Sequence, residues 1–262
     1  MTERVAGVRQ TAIEAALAAG RILRHGVGQT RSIRHKGEID LVTEIDVASE
    51  KAVVEIIRAA FPNHRILAEE GGVGGDDPRH RWIVDPLDGT TNYAHGLPFF
   101  CVSIGFEVDG EPWLGAIYDP GRDELFLAER GAGASVNGRP IAVSSADLLS
   151  QSLIATGMPY DRSLHPRALR QFGLFAGKTR AVRRIGSAAL ELAYVAAGRL
   201  DGYWESVIMP WDIAAGLVLV SEAGGLSSTL NGNLALPESG ELLATNGRIH
   251  EEMLDNLAAL DA

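Results

Sequence analysis

The chain has 262 residues, 46% of them hydrophobic, with 24 Lys plus Arg against 34 Asp plus Glu and a formal net charge of −10. That length and apolar content bury a large core, as one domain or as two tightly packed halves, and a mean hydropathy of +0.04 reads as globular and soluble. The acidic balance excludes a general attraction for nucleic acid or anionic membrane, so an anionic substrate needs a local source of positive charge.

The opening stretch, "MTERVAGVRQTAIEAALAAGRILRHG", places apolar residues at helical spacing and never runs apolar long enough for a signal peptide or a membrane span. A cytoplasmic protein is expected. A charged, glycine-bearing loop from Ile33 to Asp40 follows, whose ordering is expected to depend on metal. Thr43 and Glu44 then precede an amphipathic helix that Pro62 stops. "RILAEEGG" and "RWIVDPLDG" read as short strands ending in acid. From Phe99 to about Val143, apolar stretches separated by "DGEP", "YDPGRDE" and "ERGAGASVNGRP" carry the turn chemistry of a β-meander.

Beyond "SSADLLSQS" strands and helices alternate: strand "LIATG", a helix around 164–176, strand "AVRRIG", helix "SAALELAYVAAG", strand "DGYWES" and helix "DIAAGLVLVSEAGG". That order predicts a layered α/β half. No repeat, low-complexity tract or flexible linker interrupts the chain. An N-terminal α+β half, 1–144, and a C-terminal α/β half, 145–262, are therefore expected to pack as one compact unit.

Cys101 is the only cysteine, which excludes an internal disulfide and a thiolate metal cluster; in the apolar run "FFCVSIGF" it reads as a buried strand thiol. Acids recur instead at the ends of elements. Asp85 and Asp88 leave a strand in "DPLDG", Glu69 and Glu70 follow another, Asp212 sits where a helix begins in "MPWDIAAG", and Asp46 follows Thr43 in the same manner. Taken alone, Asp-Pro and Asp-Gly are ordinary turn formers. If the acids converge, their charges repel and raise each other's pKa values unless a cation neutralises them. Carboxylates without cysteine or paired histidines suit a hard ion, Mg²⁺ or Mn²⁺ before Zn²⁺, and "DPLDGTTNY" lacks the alternate-position acids of an EF-hand loop. Gly89, Thr90 and Thr91 would begin a helix whose free N–H groups receive a phosphate oxygen.

"DPLDGTTNYAHGLP" and "WDIAAGLVLVSEAGG", with "DLVTEID" and "AEEGG" in order around them, resemble the two signatures of the inositol monophosphatase family, and the similarity runs through nearly the whole chain. The resemblance implies a layered α-β-α-β-α sandwich shared with fructose-1,6-bisphosphatases, and Mg²⁺-dependent, lithium-sensitive hydrolysis of phosphomonoesters. It implies a first metal site of Glu69, Asp85 and the Leu87 carbonyl, a second of Asp85, Asp88 and Asp212, and a third, largely water-held ion near Glu69. Thr90 and Asp46 match the pair that positions and deprotonates the attacking water beside Glu69. Gly186, Ser187 and Ala188 match a helix start facing the substrate ring, and Glu205 matches a carboxylate that hydrogen-bonds polyol hydroxyls. Asp88, Gly89, Thr90 and Asp212 complete the implied substrate contacts. For Gly186-Ser187 a plain helix N-cap is the competing reading. Tyr93, where phenylalanine is common, and the Gly71-Gly72 pair depart from the family's pattern without removing a ligand.

Trp82 and Trp211 read as a hydrophobic wall beside the acidic loops. Ala214, Ala215 and Gly216 would let their helix approach its neighbours, which Gly224-Gly225 then ends. His95 reads as a structural residue, packed or hydrogen-bonded, and Glu222 lies almost three turns from Asp212 and should point elsewhere. Inositol monophosphate is the leading substrate. Histidinol phosphate, fructose 1,6-bisphosphate and 3′-phosphoadenosine 5′-phosphate are alternatives, and a non-catalytic Mg²⁺-binding regulatory module is the reading from another class. A homodimer is implied, with no nucleic-acid or membrane partner.

Overall fold

The computed structural model describes residues 7–28, 33–35, 41–71 and 73–261. The start of the opening stretch, residues 36–40 of the expected metal-dependent loop, and Gly72 of the Gly-Gly pair lie outside the described residues.

Helix α1 (Val8–Gly26) buries Ala12, Ala15, Ala16, Ala19 and Leu23, a stripe of small residues at i, i+3 and i+4 spacing that brings the helix close to its neighbours. A short antiparallel pair, β1 (Ile33–His35) and β2 (Leu41–Thr43), leads into α2 (Glu44–Ala60), which ends two residues before Pro62. The buried face of α2 is Asp46, Ser49, Val53 and Ile57. It turns from polar to apolar along its length, so its first turn faces a polar site while the rest joins the core.

Strands β3 (Arg65–Ala68), β4 (Val73–Gly74) and β5 (His80–Asp88) are followed by the five-residue helix α3 (Thr90–Ala94). The expected meander is β6 (Cys101–Val108), β7 (Glu111–Asp119), β8 (Glu124–Glu129), β9 (Gly133–Val136) and β10 (Arg139–Ile141). These strands form one sheet in the order β10-β9-β8-β7-β6-β5-β3-β4, antiparallel except for the β3–β5 pair.

The second half runs β11 (Leu153–Thr156), α4 (His165–Lys178), β12 (Ala181–Arg183), α5 (Ala188–Ala196), β13 (Gly202–Glu205), α6 (Pro210–Glu222), β14 (Leu226–Ser228), β15 (Leu242–Thr245) and α7 (His250–Asp261). Its sheet has the order β12-β11-β13-β15-β14; β11 runs parallel to β12 and β13, while β15 runs antiparallel to β13 and β14. The expected elements end at Gly224-Gly225; β14, β15 and the twelve-residue helix α7 follow them and complete the fold.

Helices α1 and α2 pack on one face of the larger sheet, α5 and α6 lie between the sheets, and α4 and α7 cover the far face of the smaller one. This is the α-β-α-β-α sandwich. The middle helices have no solvent face: Ala189–Ala196 and Ile213–Val220 are buried without a break, and Glu191 is the one charged residue in those two runs. Tyr203 and Trp204 alternate between the cores on either side of the smaller sheet. Among the described residues, no helix is long and apolar enough to cross a membrane.

Candidate active site

Residues three apart on a regular strand point to opposite faces. In β5 the register to β6 shifts between Asp85 and Asp88, with Asp85 opposite Ser103 but Asp88 opposite Cys101. The bulge places three steps of one strand against two of the other and re-aims the side chains. Asp85, Asp88 and Asp212 consequently offer carboxylate oxygens that all lie within 4.8 Å of one another. Asp212 reaches them from the first turn of α6, whose start is fixed by Pro210 and by a reciprocal cap: the Met209 N–H donates to Asp212 Oδ2 at 2.8 Å and the Asp212 N–H to the Met209 carbonyl at 3.2 Å.

Ser187, the N-cap of α5, donates its hydroxyl to Asp88 Oδ2 at 2.6 Å, and the Ala189 N–H donates to the same oxygen at 2.7 Å. The plain N-cap reading of Ser187 is therefore incomplete, because its side chain makes no cap bond to its own helix. The approach of α5 depends on Asn92 of α3, whose amide donates to the carbonyls of Phe99 and Ile185, each at 2.8 Å. Sequence reasoning passed over Asn92, which carries no signal except its place in the motif.

Thr90 Oγ1 lies 3.1 Å from Asp46 Oδ1 and 3.0 Å from the Leu87 carbonyl, and its single proton serves one of them at a time. Asp46 is fully buried at the start of α2, and Ser49 one turn later donates to the Pro86 carbonyl at 2.8 Å, tying α2 to the acidic turn. The Leu87 N–H donates to Asp85 Oδ1 at 2.9 Å. Glu69 leaves the end of β3, next to β5, with its N–H on the Val84 carbonyl at 3.2 Å, while the Glu70 N–H donates to Glu50. Glu69, Asp85, Leu87, Asp88, Gly89, Thr90 and Asp212 line one cleft, together with Glu70, Tyr160, Met209 and Trp211.

A second chamber shares Asp88, Tyr160 and Asp212 with this cleft and adds Gly186, Ser187, Ala188 and Glu205, all named from the sequence, together with Arg184, Glu191, Tyr203, Gly157 and Met158, which were not. Glu205 accepts a hydrogen bond from the Tyr203 hydroxyl. Glu191 accepts from the Ile185 N–H at 3.0 Å through Oε1, whereas its Oε2 is buried without a hydrogen-bond partner.

Burial pushes the Asp85 carboxyl well above the usual range, and the charges of Glu69, Asp88 and Asp212 push the same way. Asp212 is raised well above its ordinary value by burial and then by Asp88. Asp88 is raised by burial and held back by the Ser187 and Ala189 donors. Burial also carries Glu205 up to about 7 and Glu191 well above a normal glutamate. Such crowding is costly for a protein alone, and buried carboxylates with no nitrogen or sulfur ligand among them fit a hard divalent cation.

Elsewhere the sequence readings divide. His95 is the exposed C-cap of α3. Glu222 turns away from Asp212 and accepts the N–H groups of Gly131 and Gly133, each at 2.8 Å. Trp211 lines the cleft, but Trp82 is a fully buried core residue whose indole donates to His64 Nδ1 at 3.1 Å. Cys101 is buried on β6 beside Asp88 and Ser187, with its thiol pKa pushed up by burial. His64, Asp77 and His80 also bring ligand atoms together. The two imidazoles, however, stack at 4.7 Å and 15°, so their in-plane lone pairs run side by side and do not converge on one ion. His64 Nδ1 already serves Trp82, and His80 Nδ1 holds Asp77 at 2.7 Å.

A layered sandwich with acids gathered where β5 ends and α6 begins has the build of a metal-dependent phosphatase. The model of the inositol monophosphatase family matches residues 5–261. The chain is 47% identical over 253 residues to the inositol-1-monophosphatase of Synechocystis sp., covering 95% of this chain and 88% of that one. It is 43% identical over 250 residues to Nus factor SuhB of Pasteurella multocida, covering 94% of each. The solved inositol monophosphatase of Anabaena superposes with a TM-score of 0.89 at 47% identity, covering 98% of this chain and 97% of that one. The chain belongs to the inositol monophosphatase family, and is a metal-dependent phosphatase of small phosphate esters.

Proposed function

We propose that the chain hydrolyses a small polyol monophosphate, with inositol monophosphate as its substrate and Mg²⁺ as its ion. The observation that carries this reading is the convergence of Asp85, Asp88 and Asp212 within 4.8 Å, beside the Thr90–Asp46 pair and open to a chamber holding Glu205. Glu69, Asp85 and the Leu87 carbonyl would hold one Mg²⁺ and Asp85, Asp88 and Asp212 a second, with a weaker third ion near Glu69; Mn²⁺ satisfies the same oxygen donors. When bound, the ions neutralise phosphate charge, polarise the phosphoryl oxygens and acidify a water.

The chain's own groups do the rest. Asp46 accepts a hydrogen bond from the Thr90 hydroxyl, which keeps the Oγ1 lone pairs toward the water; as the water gives a proton to Oγ1, Thr90 passes its own to Asp46, and Glu69 helps to orient that water. Ser187 and the Ala189 N–H fix the Asp88 carboxylate so that it does not rotate away from Asp212. Gly89 and Thr90 at the start of α3 face the phosphate end of the cleft. Gly186, Ser187, Ala188 and Glu205 face the alcohol end. Glu205, oriented by Tyr203, accepts hydrogen bonds from ring hydroxyls. Cys101 takes no part, because a buried thiol with a raised pKa is a poor nucleophile.

The test is phosphate release from inositol 1-phosphate, histidinol phosphate, fructose 1,6-bisphosphate and 3′-phosphoadenosine 5′-phosphate, with Mg²⁺, with EDTA and with lithium. Fastest turnover of the inositol ester, abolished by EDTA and inhibited by lithium, is expected. Activity indifferent to EDTA, or none toward any ester with Mg²⁺ bound, would overturn the reading. A regulatory role stands second, favoured by the relative named Nus factor SuhB. In that case the protein would bind Mg²⁺ without turnover. A cytoplasmic homodimer built from packed halves, 1–144 and 145–262, belongs to the same proposal. The division into halves is supported by the sheets: the larger uses only residues from 65 to 141 and the smaller only residues from 153 to 245.

A further inference from the structure

Gly157 follows β11 directly, where Thr156 lies in register with Trp204 of the parallel strand β13. Thr156 Oγ1 donates to the Trp204 carbonyl at 2.7 Å, which locks the end of β11 against the residue before Glu205. A Cβ built on Gly157 would stand 2.1 Å from the carboxyl carbon of Glu205 and 2.1 Å from each of its two oxygens. The carboxyl thus lies flat on the bare α-carbon of Gly157, and the Tyr203 hydroxyl holds its Oε2 there. Tyr203 and Glu205 sit two apart on one strand, so both project toward the same side.

We infer that Gly157 is a specificity-determining residue: its missing side chain is what admits the Glu205 carboxyl to the chamber wall, and with it selectivity for hydroxyl-rich phosphate esters. The inference deepens the proposed function and rests on its assignment of the chamber to the alcohol part of the substrate. Gly157 has no left-handed backbone, so alanine is allowed there, and the three atoms nearest its Cβ are all the mobile end of one side chain. A methyl group at 157 therefore turns Glu205 off Tyr203 and out of the wall, while β11 and β13 keep their pairing. The metal-facing carboxylates belong to other elements, β5 and α6, and do not move with it.

The experiment is a double-mutant cycle of Gly157→Ala and Glu205→Ala, read as kcat/KM for inositol 1-phosphate against phenyl phosphate, which offers Glu205 no hydroxyl. Gly157→Ala is expected to lower the ratio of the two by about tenfold, the effect of one lost hydrogen bond to a charged group. In the Glu205→Ala background the same change is expected to lower it by less than about twofold, because the two residues act through one contact. A ratio unchanged in Gly157→Ala, or an equal fall in both backgrounds, overturns the inference and leaves the proposed function standing. A wild-type protein that turns over phenyl phosphate but shows no preference for the inositol ester overturns both. A crystal structure of Gly157→Ala gives a readout independent of turnover: Glu205 off Tyr203 supports the inference, and Glu205 in place refutes it.

Discussion

Ser187 holds Asp88 across 99 residues of sequence, its hydroxyl 2.6 Å from Oδ2. That contact joins the acidic turn of β5 to the start of α5 and so links the cleft lined by Asp85 and Asp212 to the chamber lined by Glu205. Ser187→Ala removes the hydroxyl donor to a buried carboxylate while leaving the Ala189 N–H and the Cys101 thiol in place. A loss of about 1–2 kcal/mol in urea unfolding is expected, together with weaker Mg²⁺ activation seen as a raised Mg²⁺ requirement at constant substrate. Unchanged Mg²⁺ dependence would show that Asp88 is placed by β5 alone.

Asp46 and Thr90 are expected to act as a unit. Asp46→Asn and Thr90→Val should each lower kcat by about 10²–10⁴ with KM little altered, the range for losing a positioned acid–base group. The double variant should be no worse than the more damaged single one. Kinetics of the three variants, with thermal melts to show that each is folded, decide it. Additive losses would separate the two roles.

The buried acids make the cation-free protein pH-sensitive in a definite direction. Asp85, Asp88 and Asp212 have raised pKa values and Glu205 rises to about 7. Between its unfolded and its raised folded pKa, each group binds more protons folded than unfolded, so stability falls as pH rises through that window. With EDTA present, Tm should drop from acid toward neutral pH. Saturating Mg²⁺ should reverse much of this, so that the Tm increment produced by Mg²⁺ grows with pH. Differential scanning calorimetry across that range measures both. An increment that shrinks as pH rises would contradict the electrostatic account.

Helix α6 lies so close to the larger sheet that a Cβ on Gly115 would stand 2.2 Å from the Ala215 carbonyl oxygen, an atom of the helix backbone. Gly115→Ala must therefore push the helix away, and Asp212 rides on its first turn. A destabilisation of about 1–3 kcal/mol is expected from the overpacking. Mg²⁺ affinity, read by isothermal titration on the folded variant, should weaken as well. A loss of stability with unaltered Mg²⁺ affinity would show that α6 re-seats without carrying Asp212.

The acidic character of the site and most of the elements are legible in local stretches of the chain. The acids at 69, 85, 88 and 212 and the polar pair at 46 and 90 are visible because they stand where apolar runs end, and helices such as α1 and α2 declare themselves by a repeating apolar face. The family resemblance told which acids to watch, and Gly186, Ser187 and Glu205 with them. How these groups meet is a matter of packing. A bulge between Asp85 and Asp88 brings residues of opposite strand parity to one side. Asn92 anchors a turn almost a hundred residues away, and Gly157 leaves room for a carboxyl. Beyond Gly225 the segments that become β14, β15 and α7 carry no motif, and their place toward one edge and on the far face of the smaller sheet is set by pairing and packing. These outcomes depend on register and on the distance between backbones, quantities set by the packing of layers and written in no single local stretch of the chain.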